Sequence, residues 1–290
     1  MMKIFQLIIL LVINNVNSTS IDRRATQPWL ILPPTPSLPK PISNTLQDIN
    51  GVKLWSQEYN KSPGKIPIVL NHGGLGYSAY FGDVINNLIA QNRYVIAIDR
   101  RGHGRSTFNA NDEFTFDMFA KDIDDQLKSI GVQKYDVLGW SDGAATTLAA
   151  LQTPTLASKI NKAFIFAGFM VPQDTNSTFT STNIYTEFVS RCAKEYAVNQ
   201  PTQDFKLFAG KVATLESKLP QFTAQGLGRI DGSKVAIAGA EYDEAVNLNV
   251  PDKLHSAIRG SQLIMLKGVS HFAPLQDSKG FTQAILKFFG

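Results

Sequence analysis

The run Val137-Leu138-Gly139-Trp140-Ser141-Asp142-Gly143, continued by Ala144-Ala145-Thr146-Thr147-Leu148-Ala149-Ala150, constrains the fold of this chain more tightly than any other stretch. A short apolar segment ends in Gly-x-Ser-x-Gly and passes at once into strong helix formers, the pattern of a nucleophile elbow. A strand that turns directly into a helix holds its corner residue in a strained, exposed conformation. The flanking glycines remove the Cβ atoms that would collide with neighbouring backbone. Ser141 is therefore expected to project its hydroxyl above a sheet edge, beside the positive end of a helix. Such pentapeptides recur by chance in a chain with 21 glycines, so the remaining sequence has to carry the assignment.

Around the elbow, strands and helices alternate. Ile66 to Asn71, Tyr94 to Ile98, Tyr135 to Leu138 and Ala163 to Ala167 are short apolar runs without strict alternation, as expected of strands buried on both faces of a parallel sheet. Lys234 to Ala238 and Gln262 to Leu266 add two later strands, and Phe281 to Phe289 a closing helix. Phe116, Phe119, Ile123, Leu127 and Ile130 recur at steps of three and four, which predicts an amphipathic helix with Thr115 as N-cap and Gly131 at its end. Asn50-Gly51 predicts a hairpin turn into an edge strand over Val52 to Tyr59. The implied fold class is α/β, a mostly parallel, doubly wound sheet with ligands at the carboxyl ends of its strands. From Pro172 to about Leu227 the rhythm fails. That segment is expected to be a helical cap insertion covering the site, with Tyr185, Phe188, Val189, Phe205, Leu207 and Phe208 facing inward.

Upstream, Lys3, the apolar run Ile4 to Ile13 and the polar stretch to Ser20 have the three regions of a cleaved secretory signal peptide. The apolar run is too short to span a bilayer, which takes roughly 20 residues. A secreted protein is expected, with 1–20 as signal and 21–44 as a Pro-rich extended arm holding Pro33, Pro34, Pro36, Pro39 and Pro41. A single folded domain would occupy 45–290. Arg23-Arg24 is a candidate processing site, and Asn60-Lys61-Ser62 and Asn176-Ser177-Thr178 are candidate glycosylation acceptors. The net charge is +4 with scattered basic residues, which does not make a nucleic-acid-binding stripe. One cysteine, Cys192, forms no internal disulfide, and no base in the sequence nominates it as a nucleophile.

A serine hydroxyl needs a base to take its proton and an acid to orient that base. Of four histidines, His271 in Gly268-Val269-Ser270-His271-Phe272 follows the last strand, and Asp243 follows the preceding one, both at carboxyl edges. Ser141, Asp243 and His271 are thus the expected catalytic residues. His72 and His103 read as loop-holding residues and His255 as a surface residue. No His pair has the spacing of a zinc helix and no Cys pair exists, so neither metal nor other cofactor is implied.

With this order of serine, acid and histidine, the chain resembles the α/β-hydrolase superfamily, in its capped branch, over roughly 50–290. The motifs are His72-Gly73-Gly74-Leu75-Gly76, Asp99-Arg100-Arg101-Gly102-His103-Gly104-Arg105-Ser106, the elbow, Asp243 and His271; Ala240 departs from the glycine often found in the acid turn. The resemblance implies an oxyanion hole from the backbone N–H of Gly74 or Leu75 and that of Asp142, and carboxylic esters, lactones or thioesters as small-molecule substrates. Gly-Trp-Ser-Asp-Gly is similar to the elbow of valacyclovir-hydrolase-like amino-acid ester hydrolases, which implies that Asp142 faces a substrate ammonium group. The competing reading has Asp142 accepting from the first turn of its own helix. Leu75 and Trp140 are further candidate substrate contacts, Trp140 equally a packing residue. A proline-releasing aminopeptidase on the same triad and a non-catalytic ligand-binding protein of this fold stay open as alternatives.

Overall fold

The computed structural model describes residues 27–200 and 204–290; the expected signal segment and Arg23-Arg24 lie outside the described residues. One eight-stranded sheet organises the chain. Its strands are β1 (Ser43–Ile49), β2 (Val52–Tyr59), β3 (Ile68–Asn71), β4 (Val95–Asp99), β5 (Tyr135–Trp140), β6 (Ile160–Phe166), β7 (Val235–Ala240) and β8 (Gln262–Leu266), in the order β1-β2-β4-β3-β5-β6-β7-β8. The first three of that order pair antiparallel and the rest are parallel. The chain enters the parallel part at β3, crosses to β4 on one side and returns to β5 on the other, and this reversal opens the crevice at the strands' carboxyl ends.

Each element follows from its residues. Asn50 and Gly51 both take positive φ, 49° and 78°, which a two-residue turn between right-twisted strands requires. Strands β3, β4, β5 and β7 are buried along their whole length, which explains why they lack hydrophobic alternation. Helices α1 (Gly82–Ala90), α2 (Phe116–Ser129), α3 (Asp142–Gln152), α6 (Val250–Ala257) and α7 (Ser278–Phe289) cover the two faces. Thr115 Oγ1 accepts from the Met118 N–H at the start of α2, the N-cap its sequence predicts.

The cap is inserted between β6 and β7 and is built on α4 (Asn183–Asn199) and α5 (Phe205–Lys218). Its inward residues Tyr185, Phe188, Val189, Phe205 and Phe208 join the same apolar core as the sheet. Leu207 does not: it is 39% exposed, because a helix that buries Phe205, Phe208, Ala209 and Val212 turns position 207 to the opposite face. Phe208, fully buried, packs edge-on against His103 at 4.7 Å and stacks on Tyr196 at 4.9 Å. The cap is thereby fixed to the glycine-rich loop after β4.

Residues 31–42 run without regular structure over the domain surface. The Arg191 guanidinium on α4 donates to the carbonyls of Leu32 and Pro33, Gln276 Nε2 donates to those of Trp29 and Ile31, and Trp29 stacks on Tyr242 at 4.0 Å. Among the described residues no helix is long and apolar enough to cross a membrane.

Candidate active site

Strand β5 delivers Ser141 at its carboxyl end, and α3 begins with the next residue. Ser141 has φ 55° and ψ −119°, a conformation L residues rarely adopt. Hydrogen bonds hold it on both sides: its N–H donates to the Phe166 carbonyl of β6 at 3.0 Å, and its carbonyl accepts from the Ala145 N–H at 3.0 Å. The flanking glycines are steric necessities. A Cβ on Gly139 would stand 2.5 Å from the Gly143 carbonyl oxygen and 2.7 Å from Ala144 Cα, and one on Gly143 would stand 2.6 Å from the His72 carbonyl oxygen. The serine corner, strand β3 and the loop after it are therefore in backbone contact.

That loop carries His72, Gly73 and Gly74. Arg100, buried at the end of β4, holds it from beneath: one terminal nitrogen donates to Asn71 Oδ1 at 2.8 Å and to the His72 carbonyl, the other to the Gly73 carbonyl at 3.0 Å. Asn71 in turn donates through Nδ2 to the Gly143 carbonyl at 2.9 Å. One guanidinium thus ties the glycine loop to the elbow. His72 Nε2 accepts from the Arg100 N–H at 3.1 Å, so its Nδ1 carries the proton and donates to the Gly73 carbonyl at 2.8 Å. Burial, and then the Arg100 charge, hold the pKa values of His72 and His103 well below the ordinary imidazole range. Both rings are neutral braces.

Asp243 leaves β7 and His271 follows β8, and the two meet above the sheet. His271 Nδ1 lies 3.0 Å from Asp243 Oδ1 and 3.2 Å from Oδ2; Oδ1 also accepts from the N–H groups of Ala245 at 3.0 Å and Val246 at 2.8 Å. The Asp243 contact holds the imidazole proton on Nδ1, which leaves Nε2 as the basic atom. Burial works to lower the His271 pKa; the charges of Asp243, Glu244 and Asp142 outweigh it and raise the value above 6.5. Glu244 braces the same loop, accepting from the His271 N–H at 3.0 Å and from Ser270 Oγ at 3.1 Å. The imidazole packs against Trp140 at 5.9 Å, Phe272 at 5.7 Å and the cap residue Phe179 at 6.1 Å. Trp140 itself is buried in packing against Tyr80, Phe81 and Phe272. Among the described residues no hydrogen bond joins Ser141 Oγ to His271, a contact that tightens in many enzymes only when substrate binds.

Asp142, 1% exposed, does not accept from its own first turn, and its Oδ2 has no hydrogen-bond partner among the described residues. The Cα of Gly74 is seated so that a Cβ there would lie 2.9 Å from Asp142 Oδ2 and 2.7 Å from Glu216 Oε1 of α5. Two acidic side chains, one from the elbow and one from the cap, thus converge on the expected oxyanion loop. Burial raises both pKa values, Asp142 with relief from the Arg100 charge and Glu216 with a further push from Asp142. The elbow motif singles out Asp142 as a candidate substrate contact; Glu216 carries no motif and lies 74 positions beyond, and the bracing by Asn71, Arg100 and Glu244 is not signalled by any motif. For Arg100 a signal was present, a cation at the carboxyl end of a fully buried strand.

Residues 66–182 match the α/β-hydrolase fold family. Over 117 residues the chain is 37% identical to serine hydrolase BPHL of Homo sapiens, a match covering 39% of each chain. It is 30% identical over 121 residues to proline iminopeptidase of Heyndrickxia coagulans, covering 41% of each. The chain spans about two fifths of the length of the curated relatives it matches. Among solved structures, a meta-cleavage product hydrolase from Pseudomonas fluorescens IP01 superposes with a TM-score of 0.68 over 85% of this chain and 97% of the other, at 16% identity. With the sheet order, elbow and inserted cap described above, the chain has the α/β-hydrolase fold.

Proposed function

We propose that this protein is a serine hydrolase that cleaves carboxylic esters of small molecules through an acyl-enzyme on Ser141. The observation that carries the reading is the strained Ser141 corner, held at φ 55° on the same sheet edge as the Asp243–His271 pair. In this account Ser141 Oγ attacks the ester carbonyl while His271 Nε2 takes its proton, and Asp243 steadies the imidazolium that forms. The tetrahedral intermediate places negative charge on the former carbonyl oxygen, facing the backbone N–H of Gly74 or Leu75 and that of Asp142. One such donor is worth about 3 kcal/mol. Collapse breaks the ester C–O bond, and the alcohol leaves with the proton from His271. Water then attacks the acyl-serine, giving its proton to His271; the acid departs and the proton returns to Ser141.

The name of the human relative, serine hydrolase, agrees with this reading, and that of the bacterial one, proline iminopeptidase, keeps a proline-releasing reaction on the same triad as the alternative. A second reading within the ester class, α-amino esters, is favoured by Asp142 Oδ2 beside the loop, which has no hydrogen-bond partner among the described residues. Secretion with cleavage near residue 20 belongs to the proposal, and N-terminal sequencing of the mature protein tests it. The activity is tested with a panel of p-nitrophenyl esters of increasing acyl length, a lactone, a prolyl arylamide and an amino-acyl ester. Ester turnover that vanishes in Ser141→Ala supports the proposal. A folded protein that binds ligands yet neither turns over any of these nor reacts with a fluorophosphonate overturns it in favour of the binding-protein reading.

A further inference from the structure

We propose that the arm residues Trp29 to Ile31 are a positioning element of the active site: through Tyr242 and Gln276 they hold the turns that carry Asp243 and His271, a role that rests on the hydrolase reading for the reaction it serves.

The arm begins as one turn of 3₁₀ helix, Pro28–Leu30, in which the N–H groups of Leu30 and Ile31 donate to the carbonyls of Gln27 and Pro28. A turn this short leaves its last carbonyls without a partner of their own. Those of Trp29 and Ile31 are taken by one side chain, Gln276 Nε2, at 3.1 and 3.0 Å. Gln276 closes the short helix Ala273–Gln276 that follows the catalytic histidine, and its other contacts go to the residue before that histidine. Its Oε1 accepts from the Ser270 N–H at 2.7 Å, and its Nε2 lies 3.0 Å from Ser270 Oγ. Ser270, 1% exposed, also donates to Glu244, which accepts from the His271 N–H. A single amide therefore connects the arm to the backbone on which His271 stands.

A second contact reaches the acid. The Trp29 ring lies flat on Tyr242, with 4.0 Å between centroids and 11° between planes, and Tyr242 directly precedes Asp243. The Tyr242 N–H donates to the Val269 carbonyl at 3.1 Å, so the acid and base turns are themselves joined here. Beyond Ile31 the chain is anchored: Leu32 is buried in the core, and the Arg191 guanidinium of α4 takes the carbonyls of Leu32 and Pro33. Burial of apolar side chains is not what the turn contributes, since Leu30 and Ile31 stay 57% and 50% exposed. Its ring and its carbonyls engage instead the residues that flank the catalytic pair.

The test uses the full chain. Gln276→Met keeps the length of the side chain and removes its hydrogen bonds, Trp29→Ala removes the stacked ring, and Trp29→Phe keeps a ring to stack. Misplacing catalytic groups by about 1 Å can cost about 100-fold, so kcat for a p-nitrophenyl ester should fall about tenfold or more in Gln276→Met and in Trp29→Ala, with KM changed by less than about twofold and Trp29→Phe close to wild type. Because the two side chains hold the same segment, the double variant Trp29→Ala with Gln276→Met should lose less than the product of the single losses. Proton magnetic resonance supplies a readout independent of turnover: the downfield Nδ1–H signal of His271, assigned by its absence from His271→Gln, should shift or broaden in both variants while circular dichroism shows the fold retained. Folded variants that keep wild-type kcat, that lose activity with an unaltered Nδ1–H signal, or whose losses multiply in full overturn the positioning role. A wild-type protein that hydrolyses no ester sinks the hydrolase reading alone, and the Nδ1–H signal then decides whether the arm positions the pair.

Discussion

Replacing Gly143 by alanine should damage the active site out of proportion to one methyl group. The new Cβ would lie 2.6 Å from the carbonyl carbon of Asn71 and 2.6 Å from the His72 carbonyl oxygen, and closer still to the Asn71 oxygen. Comfortable contacts between such atoms begin near roughly 3.5 Å, so β3 and the elbow must part by about 1 Å. Backbone cannot give way as a side chain does, and overpacking of this kind costs about 1–3 kcal/mol. In a domain of this size that lowers Tm by roughly 2–12 °C. The kinetic effect should be larger, because the moving loop carries Gly74, and misplacing catalytic groups by about 1 Å can cost about 100-fold. The separation would also strain the Asn71-to-Gly143 hydrogen bond through which Arg100 reaches the elbow. The assay is the second-order rate of fluorophosphonate labelling beside a thermal melt. Gly210→Ala serves as the control: Gly210 lies in α5 with open space around its missing Cβ, and alanine there should stabilise by about 0.5–1 kcal/mol. A folded Gly143→Ala protein that melts with the wild type and labels at a similar rate would refute the steric account of the elbow.

Other perturbations test separate links. Asp243→Asn should keep the fold and lower kcat by about 10⁴-fold, because the imidazole loses the carboxylate that sets its tautomer; circular dichroism and ester kinetics check both parts. Ester hydrolysis should fall on the acid side with a midpoint above 6.5, since the carboxylates around His271 raise its pKa and the base works only when neutral. In Glu244→Gln that midpoint should move to lower pH as one of those charges disappears, which a kcat/KM profile from pH 5 to 9 measures. Phe208→Ala should cost about 3–5 kcal/mol, because the ring is fully buried between cap and loop; a urea midpoint close to wild type would show that α5 is not anchored there.

Much of this molecule is legible from local chemistry. The doubly buried strands announce themselves as unbroken apolar runs, and Thr115, Asn50 and Gly51 mark ends and turns through hydrogen bonding and positive φ. Boundaries are less so: Ile66 belongs to an apolar run, yet the strand starts at Ile68, because Pro67 has no N–H to enter the ladder. In the cap, the apolar run Phe205-Lys206-Leu207-Phe208 does not reveal which face turns inward, and Leu207 faces outward. Ser141, Asp243 and His271 stand out because each follows a strand, and strand ends of a parallel sheet converge. Glu216 could not be found this way. Its place opposite Asp142 depends on how α5 settles on the loop after β4, a long-range packing outcome that no local pattern encodes.

The most direct test of the central claim is intact-mass analysis of the folded protein after reaction with a fluorophosphonate, with the adduct mapped by peptide sequencing. The account predicts one adduct, on Ser141, absent from Ser141→Ala and formed far more slowly in His271→Ala. An adduct on another residue, or labelling that proceeds unchanged in Ser141→Ala, would contradict it.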